Sequence, residues 1–168
     1  EKNSGPAFAR NLALKLIDKH SDYIWFLDSD TQVKNKNVLL NMIYILKNDN
    51  NIAGVGGVVE KVNGDWKIVE YVEFINKMIL PRYKDTKDYY NDNVEFISTA
   101  NLLVPRDKLD QTNYFDESLP RDEDTDLCLA LRKKKYRLLQ SNEIIITHYL
   151  SSKGRSKGKF NHFKEYNS

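Results

Sequence analysis

Apolar positions fall into two kinds of run along this chain, one at helical spacing and one unbroken. Phe8, Ala9, Leu12, Ala13, Leu16 and Ile17 recur at helical spacing and predict an amphipathic helix with this stripe inward. Gly5-Pro6 before them suits a helix start, because proline lacks an N–H that the first turn leaves unbonded anyway. His20-Ser21-Asp22 closes this helix. Tyr23-Ile24-Trp25-Phe26-Leu27 is unbroken and rich in aromatic and branched side chains, which predicts a strand buried on both faces of a parallel sheet. Leu39, Met42, Ile43 and Leu46 follow the i, i+3, i+4, i+7 pattern and predict a second helix. Ile52 to Val59 predicts a strand in which Gly54, Gly56 and Gly57 mark close backbone approach or a bulge.

Lys67 to Val72 reads as an edge strand, and Tyr71 to Leu80 is open between strand and helix. Pro81 to Asn93 is polar, carries Tyr83, Tyr89 and Tyr90, and predicts a long loop. Val94 to Ser98 and Asn101 to Val104 predict strand segments around Thr99-Ala100. Asp122 to Lys134 predicts a helix with Leu127, Ala130 and Leu131 inward. Tyr136 to Leu139 and Ile144 to Thr147 predict two short strands. From Ser151 to Lys159 the chain is polar and basic, as a flexible tail is. Strands alternating with helices predict one α/β core over residues 1–150, followed by a basic tail over 151–168.

Composition narrows the class. A chain of 168 residues suffices for one domain with a real core. With 40% hydrophobic and 30% charged residues, it is not compositionally disordered. A net charge of +2 makes no case for nucleic acid. The single cysteine, Cys128, excludes an internal disulfide framework and reads as core. No apolar stretch approaches the roughly 18 residues of a membrane span. These features predict a cytoplasmic protein, with the basic tail available for the anionic inner face of a membrane.

The candidate chemistry begins at Asp28-Ser29-Asp30, where the apolar strand ends. Ligands bind at the carboxyl edge of open α/β sheets, and two carboxylates one residue apart there suit a hard divalent cation. The same residues also suit a simple turn. Arg10 and Asn11 belong to the early turns of the first helix, which should bring them to that edge. Asp122-Glu123-Asp124-Thr125-Asp126 opens the later helix. Carboxylates favour a helix N-terminus, yet four acids exceed what capping needs, so at least one is a candidate general base. His148 ends an apolar strand and is either structural or a further ligand beside Asp30.

Taken in order, these pieces resemble an inverting glycosyltransferase of family 2 with the GT-A fold. Gly5-Pro6-Ala7-Phe8-Ala9-Arg10-Asn11 resembles the family's G-x-x-x-A-R-N helix start. Phe26-Leu27-Asp28-Ser29-Asp30 resembles the strand that ends in its D-x-D motif. Thr99-Ala100-Asn101-Leu102-Leu103-Val104-Pro105-Arg106 is similar to the acceptor-side segment before F-D-E, which Phe115-Asp116-Glu117 matches. Glu123-Asp124-Thr125-Asp126-Leu127 resembles the E-D-x-D-L helix start, and His148 stands where many members place a late histidine.

The resemblance implies a GT-A-like (Rossmann-like) mixed sheet flanked by helices. It also implies a strand-helix-strand nucleotide-binding portion upstream of Gly5, hence an N-terminally incomplete core. The implied activity is transfer of a hexose-type sugar, with inversion, from a nucleotide-diphosphate-sugar to a glycan, lipid-linked or protein hydroxyl. Asp124 would be the general base and Glu123 its neighbour at the acceptor. Arg10, Asn11, Asp28 and Asp30 would face the donor, and Asp30 and His148 would hold Mn2+ or Mg2+. Two other readings stand beside it: a nucleotidyltransferase acting on a metal-bound nucleoside triphosphate, and a catalytically silent binding or assembly module.

Overall fold

The computed structural model describes residues 4–33, 35–62 and 90–149. Within them a mixed sheet separates two layers of helix. In chain order the elements are α1 (Gly5–Leu16), β1 (Tyr23–Leu27), β2 (Thr31–Val33), α2 (Val38–Asn48) and β3 (Ile52–Val62). They continue with β4 (Tyr90–Asp92), β5 (Asn101–Pro105), a single turn α3 (Arg106–Leu109), α4 (Glu123–Lys133) and β6 (Arg137–Tyr149). The sheet order is β1-β5-β3-β6-β2, with β4 also on β6. No helix among the described residues is long and apolar enough to cross a membrane.

The parallel pair β3–β6 forms the middle of the sheet, from Ile52 opposite Arg137 to Val62 opposite Tyr149. The two short strands expected over Tyr136–Leu139 and Ile144–Thr147 are one strand. Its irregularity falls where the register slips between Gly57 and Val58. Gly57 is what makes the slip possible. A Cβ there would lie 1.8 Å from the Ile144 carbonyl oxygen, which is backbone and cannot swing aside. On its other side β6 takes β4 along its first half and β2 along its last residues, both antiparallel.

β1 differs from its expected pairing. It runs antiparallel to β5, from Tyr23 opposite Pro105 to Leu27 opposite Asn101, and forms one end of the described sheet order. Both its faces are nonetheless covered, as its unbroken apolar run requires. Ile24 and Phe26 enter the core beneath α1 and α4 with Leu102, Val104, Leu127, Leu131 and Leu138. Tyr23 and Trp25 pack on the opposite core, which α2 supplies with Val38, Met42 and Leu46.

The helices correct the sequence reading in their choice of face. In α1 the buried residues are Ala7 and Leu14, whereas Phe8, Leu12 and Leu16 are 41%, 45% and 78% exposed. The helix has apolar residues on two faces, and periodicity cannot choose between them; small Ala7 permits the closer approach. In α2, of the periodic positions Met42 and Leu46 are buried, Leu39 lies at the surface, and Val38 is buried beside them. In α4 Leu127, Cys128 and Leu131 are buried, and Ala130 is half-buried.

Tyr90–Asp92, expected within a loop, is strand β4, and Val94–Ser98, expected as strand, is irregular chain. Val94 and Ile97 still reach the core, so their apolar character reports burial and not pairing. The expected edge strand at Lys67–Val72, the segment Tyr71–Leu80 and the basic tail 151–168 lie outside the described residues.

Gly57→Ala is predicted to cost about 1–3 kcal/mol, the usual penalty of overpacking a filled interior. Urea denaturation of the two proteins measures it. An unchanged midpoint would mean that the β6 irregularity is not held by contact with Gly57.

Candidate active site

One edge of the sheet gathers the ends of β1 and β6, the start of β5 and the start of α4. β1 ends at Leu27, and the chain turns through Asp28-Ser29-Asp30 into β2. The turn is closed by Thr31, whose N–H and Oγ1–H both donate to the Asp28 carbonyl at 3.2 and 2.7 Å. β2 then pairs with the end of β6, placing Thr31 opposite His148, and the Tyr149 N–H donates to the Asp30 carbonyl at 2.7 Å. β2 was not foreseen from the sequence, yet its short ladder is what brings a histidine near the end of the chain onto the D-x-D turn.

The result is a cluster of three side chains. His148 Nε2 lies 2.9 Å from Asp30 Oδ1 and 4.0 Å from Asp28 Oδ2. One donor atom from each of Asp28, Asp30 and His148 lies within 4.8 Å of the others, and all three residues are half-buried. Carboxylate oxygens suit Mg2+ and Mn2+, and an added imidazole nitrogen shifts the preference toward a transition ion such as Mn2+. The donor set therefore fits a divalent cation with room left for ligand oxygens.

The second acidic group lies at the start of α4. Asp122 stands at its N-cap in the left-handed region (φ 65°) and makes no side-chain capping bond. Glu123 is buried, and Asp124 is held by N–H groups of Thr125 and Thr99. Burial, then the neighbouring Glu123 charge, pushes the Asp124 carboxyl above its ordinary range, while those N–H groups and Arg10 oppose the shift. A carboxylate with a raised pKa is a better proton acceptor near neutrality than a free aspartate.

Arg10 stands between the two groups. It pairs with Asp28 at 3.2 Å on one side and with Glu123 on the other. Its guanidinium lies 5.5 Å from the centre of the Phe115 ring, which in turn meets Phe26 edge-on at 5.2 Å. Asn11 is occupied elsewhere. Its Nδ2 donates to the Phe115 carbonyl and to Glu117 Oε1, each at 2.8 Å, and its Oδ1 accepts from the Phe115 N–H at 3.1 Å. The structure thus brings Arg10, Asp28, Asp30, Glu123, Asp124 and His148 to one edge, and it gives Asn11 the task of fastening the Phe115-Asp116-Glu117 turn.

Sequence reasoning gave Phe115 no role of its own; only its place in a three-residue motif marked it. Asn101 was passed over in the same way. It is fully buried beside Leu27, and its Oδ1 accepts from Trp25 Nε1 at 3.1 Å. Cys128 is core, as expected, with burial pushing its thiol up to about 11. A cleft of about 910 Å3 lined by Lys19, Asp22, Lys47, Arg106 and Tyr136 opens at the other end of β1 and shares none of the site residues.

A family model described as "Glycosyl transferase family 2" matches residues 1–112, which takes in Arg10, Asn11, Asp28 and Asp30. No curated protein matches the chain. Among solved structures the chain is similar to the mannosyltransferase PcManGT from Pyrobaculum calidifontis in complex with GDP-Man and Mn2+. The TM-score is 0.65 at 16% identity, with 89% of this chain and 38% of that chain covered. The likeness is one of fold, a GT-A-type mixed sheet flanked by helices, and the chain spans under half the length of that protein.

Asp30→Ala is predicted to weaken Mn2+ binding by about tenfold or more, as loss of a cation's protein support does. Paramagnetic broadening of the His148 ring signals in a Mn2+ titration reads this directly. Equal broadening in the variant would exclude Asp30 as a ligand.

Proposed function

The chain belongs to glycosyl transferase family 2, and from that premise we propose that it carries the catalytic edge of a metal-dependent glycosyltransferase acting on a nucleotide-diphosphate-sugar. The observation that carries this reading is the meeting of Asp28, Asp30 and His148, from opposite ends of the chain, on the same sheet edge as Asp124. In this reading the three hold Mn2+ or Mg2+ together with the donor diphosphate. When bound, the cation neutralises charge on the leaving diphosphate.

Asp124 takes the proton from an acceptor hydroxyl on a glycan, a lipid carrier or a protein. The hydroxyl oxygen forms a bond to the anomeric carbon while the bond from that carbon to the diphosphate oxygen breaks, and attack from the opposite face inverts the centre. Glu123, paired with Arg10, adds negative charge beside Asp124 and so strengthens it as a base. GDP-mannose, the donor bound by the similar mannosyltransferase, is the first donor to try.

The base role fixes a pH dependence. Asp124 must be ionised to act, so activity falls as pH drops through its raised folded-state pKa. The acid limb should therefore lie above the range of an ordinary aspartate. The same shift has a cost in stability. A pKa raised on folding stabilises the protonated form at low pH and penalises the ionised form above the folded pKa. Asp124→Asn is accordingly predicted to be at least as stable as the parent at neutral pH while losing nearly all transfer and keeping donor affinity. Thermal denaturation, turnover and donor titration check the three parts, and unchanged turnover would remove Asp124 as base.

A Mn2+-dependent donor-hydrolysis assay separates the classes. Sugar release supports the transferase, pyrophosphate release from a nucleoside triphosphate supports a nucleotidyltransferase, and neither product supports a silent module.

A further inference from the structure

Helix α4 starts without the usual local anchor. A side chain at the N-cap normally bonds a free N–H of the first turn, and Asp122 does not. Glu123, the first helical residue, is a nearly buried carboxylate, its side chain 10% exposed. A carboxylate so placed is costly unless a cation meets it. Arg10 is that cation. It comes from α1, and its other Nη atom reaches Asp28 at the end of β1. The Phe115 ring lies beside its guanidinium, and Asn11, the next residue, ties the Phe115 backbone to the same helix. A planar guanidinium can donate in two directions at once, which a lysine ammonium on a flexible stem does not reproduce.

We propose that Arg10 is a positioning residue that locks the start of α4 to the end of β1, holding Glu123 and Asp124 at a fixed place relative to the Asp28-Asp30-His148 edge. The inference rests on the reading of Asp124 as base, but its geometry stands without any transfer reaction. The charges acting on Asp124 are Glu123 from its own helix and Arg10 from α1, and the N–H groups of Thr125 and Thr99 donate to it. Removing Arg10 therefore changes both the hold on the helix start and the field at Asp124.

The test compares Arg10→Gln and Arg10→Lys with the parent in the full chain. Hydrogen exchange of the amides of residues 124–127 and the NMR titration of the Asp124 carboxyl carbon are read together. For Arg10→Gln, exchange at these amides should quicken about tenfold or more, as loss of a charge-assisted bond implies. Exchange along β6 should stay unchanged, and the Asp124 midpoint should move up. Arg10→Lys should return the midpoint toward that of the parent while leaving the exchange fast. Unchanged exchange at 124–127, or quickening spread evenly over the whole chain, would overturn the proposal and make Arg10 an ordinary surface-core contact.

Should Arg10→Gln fail to fold, Glu123→Gln reads the same lock from its other end. It should quicken the same exchange and lower the Asp124 midpoint, and parent-like exchange would again overturn the proposal. Neither readout needs turnover, so failure of the lock and failure of the transferase reading are told apart by the donor-hydrolysis assay.

Discussion

The parallel pairing of β3 with β6 is the constraint on which the rest of the structure depends. It sets the long central strand that carries β4 on its first half, β2 on its last residues, and His148 next to its end. Parallel strands cannot be joined by a tight turn, and the chain between β3 and β6 contributes β4, β5 and α4 on the way. Of these, β4 returns to β6 itself, and β5 returns beside β3. Gly57 of β3 serves this pairing. Where β6 slips register, its backbone occupies the space a side chain on Gly57 would need.

From that frame the site follows by register. β2 can pair with β6 only after the chain has turned at Asp28-Ser29-Asp30, and the pairing of Thr31 with His148 then leaves Asp30 beside the imidazole. β5 runs antiparallel between β1 and β3, so its first residues meet the last of β1, and Thr99 and Asn101 fall at the edge where Asp28 lies. Side chains from distant parts of the sequence thus converge because strand ends converge. Ligand chemistry at such an edge uses positions that the fold has already fixed.

Much of this was legible in the sequence, for identifiable reasons. The Tyr23–Leu27 run, the acids after it and the acid-rich start of α4 are local signals, and each fell where the pattern placed it. The mixed character of the sheet followed from resemblance, while the pattern alone argued for a parallel β1. An apolar strand reads the same whether its neighbour runs with it or against it, because coverage of its two faces and not its pairing writes the pattern. The face of α1 was misassigned by the same kind of ambiguity. Phe8, Leu12 and Leu16 are as periodic as any buried stripe, but Ala7 and Leu14 are the residues that meet the sheet. β2, three residues long, has no period to detect, and it exists through its ladder with β6.

Of the residues gathered at this edge, the charged ones were visible in the sequence, and those that contribute shape were not. Asp28, Asp30, Asp124 and His148 stand out as titratable groups at element ends. Phe115 and Asn101 carry no such mark, yet one lies against Arg10 and the other joins the start of β5 to Trp25 in β1. Asn11 shows the converse, a polar residue whose every described bond goes to the Phe115–Glu117 turn. A polar side chain at a site edge can be there to aim its neighbour. Arg10 and Asn11, adjacent on one turn of α1, divide the work: one carries charge across the edge, and the other holds in place the turn bearing the ring beside that charge.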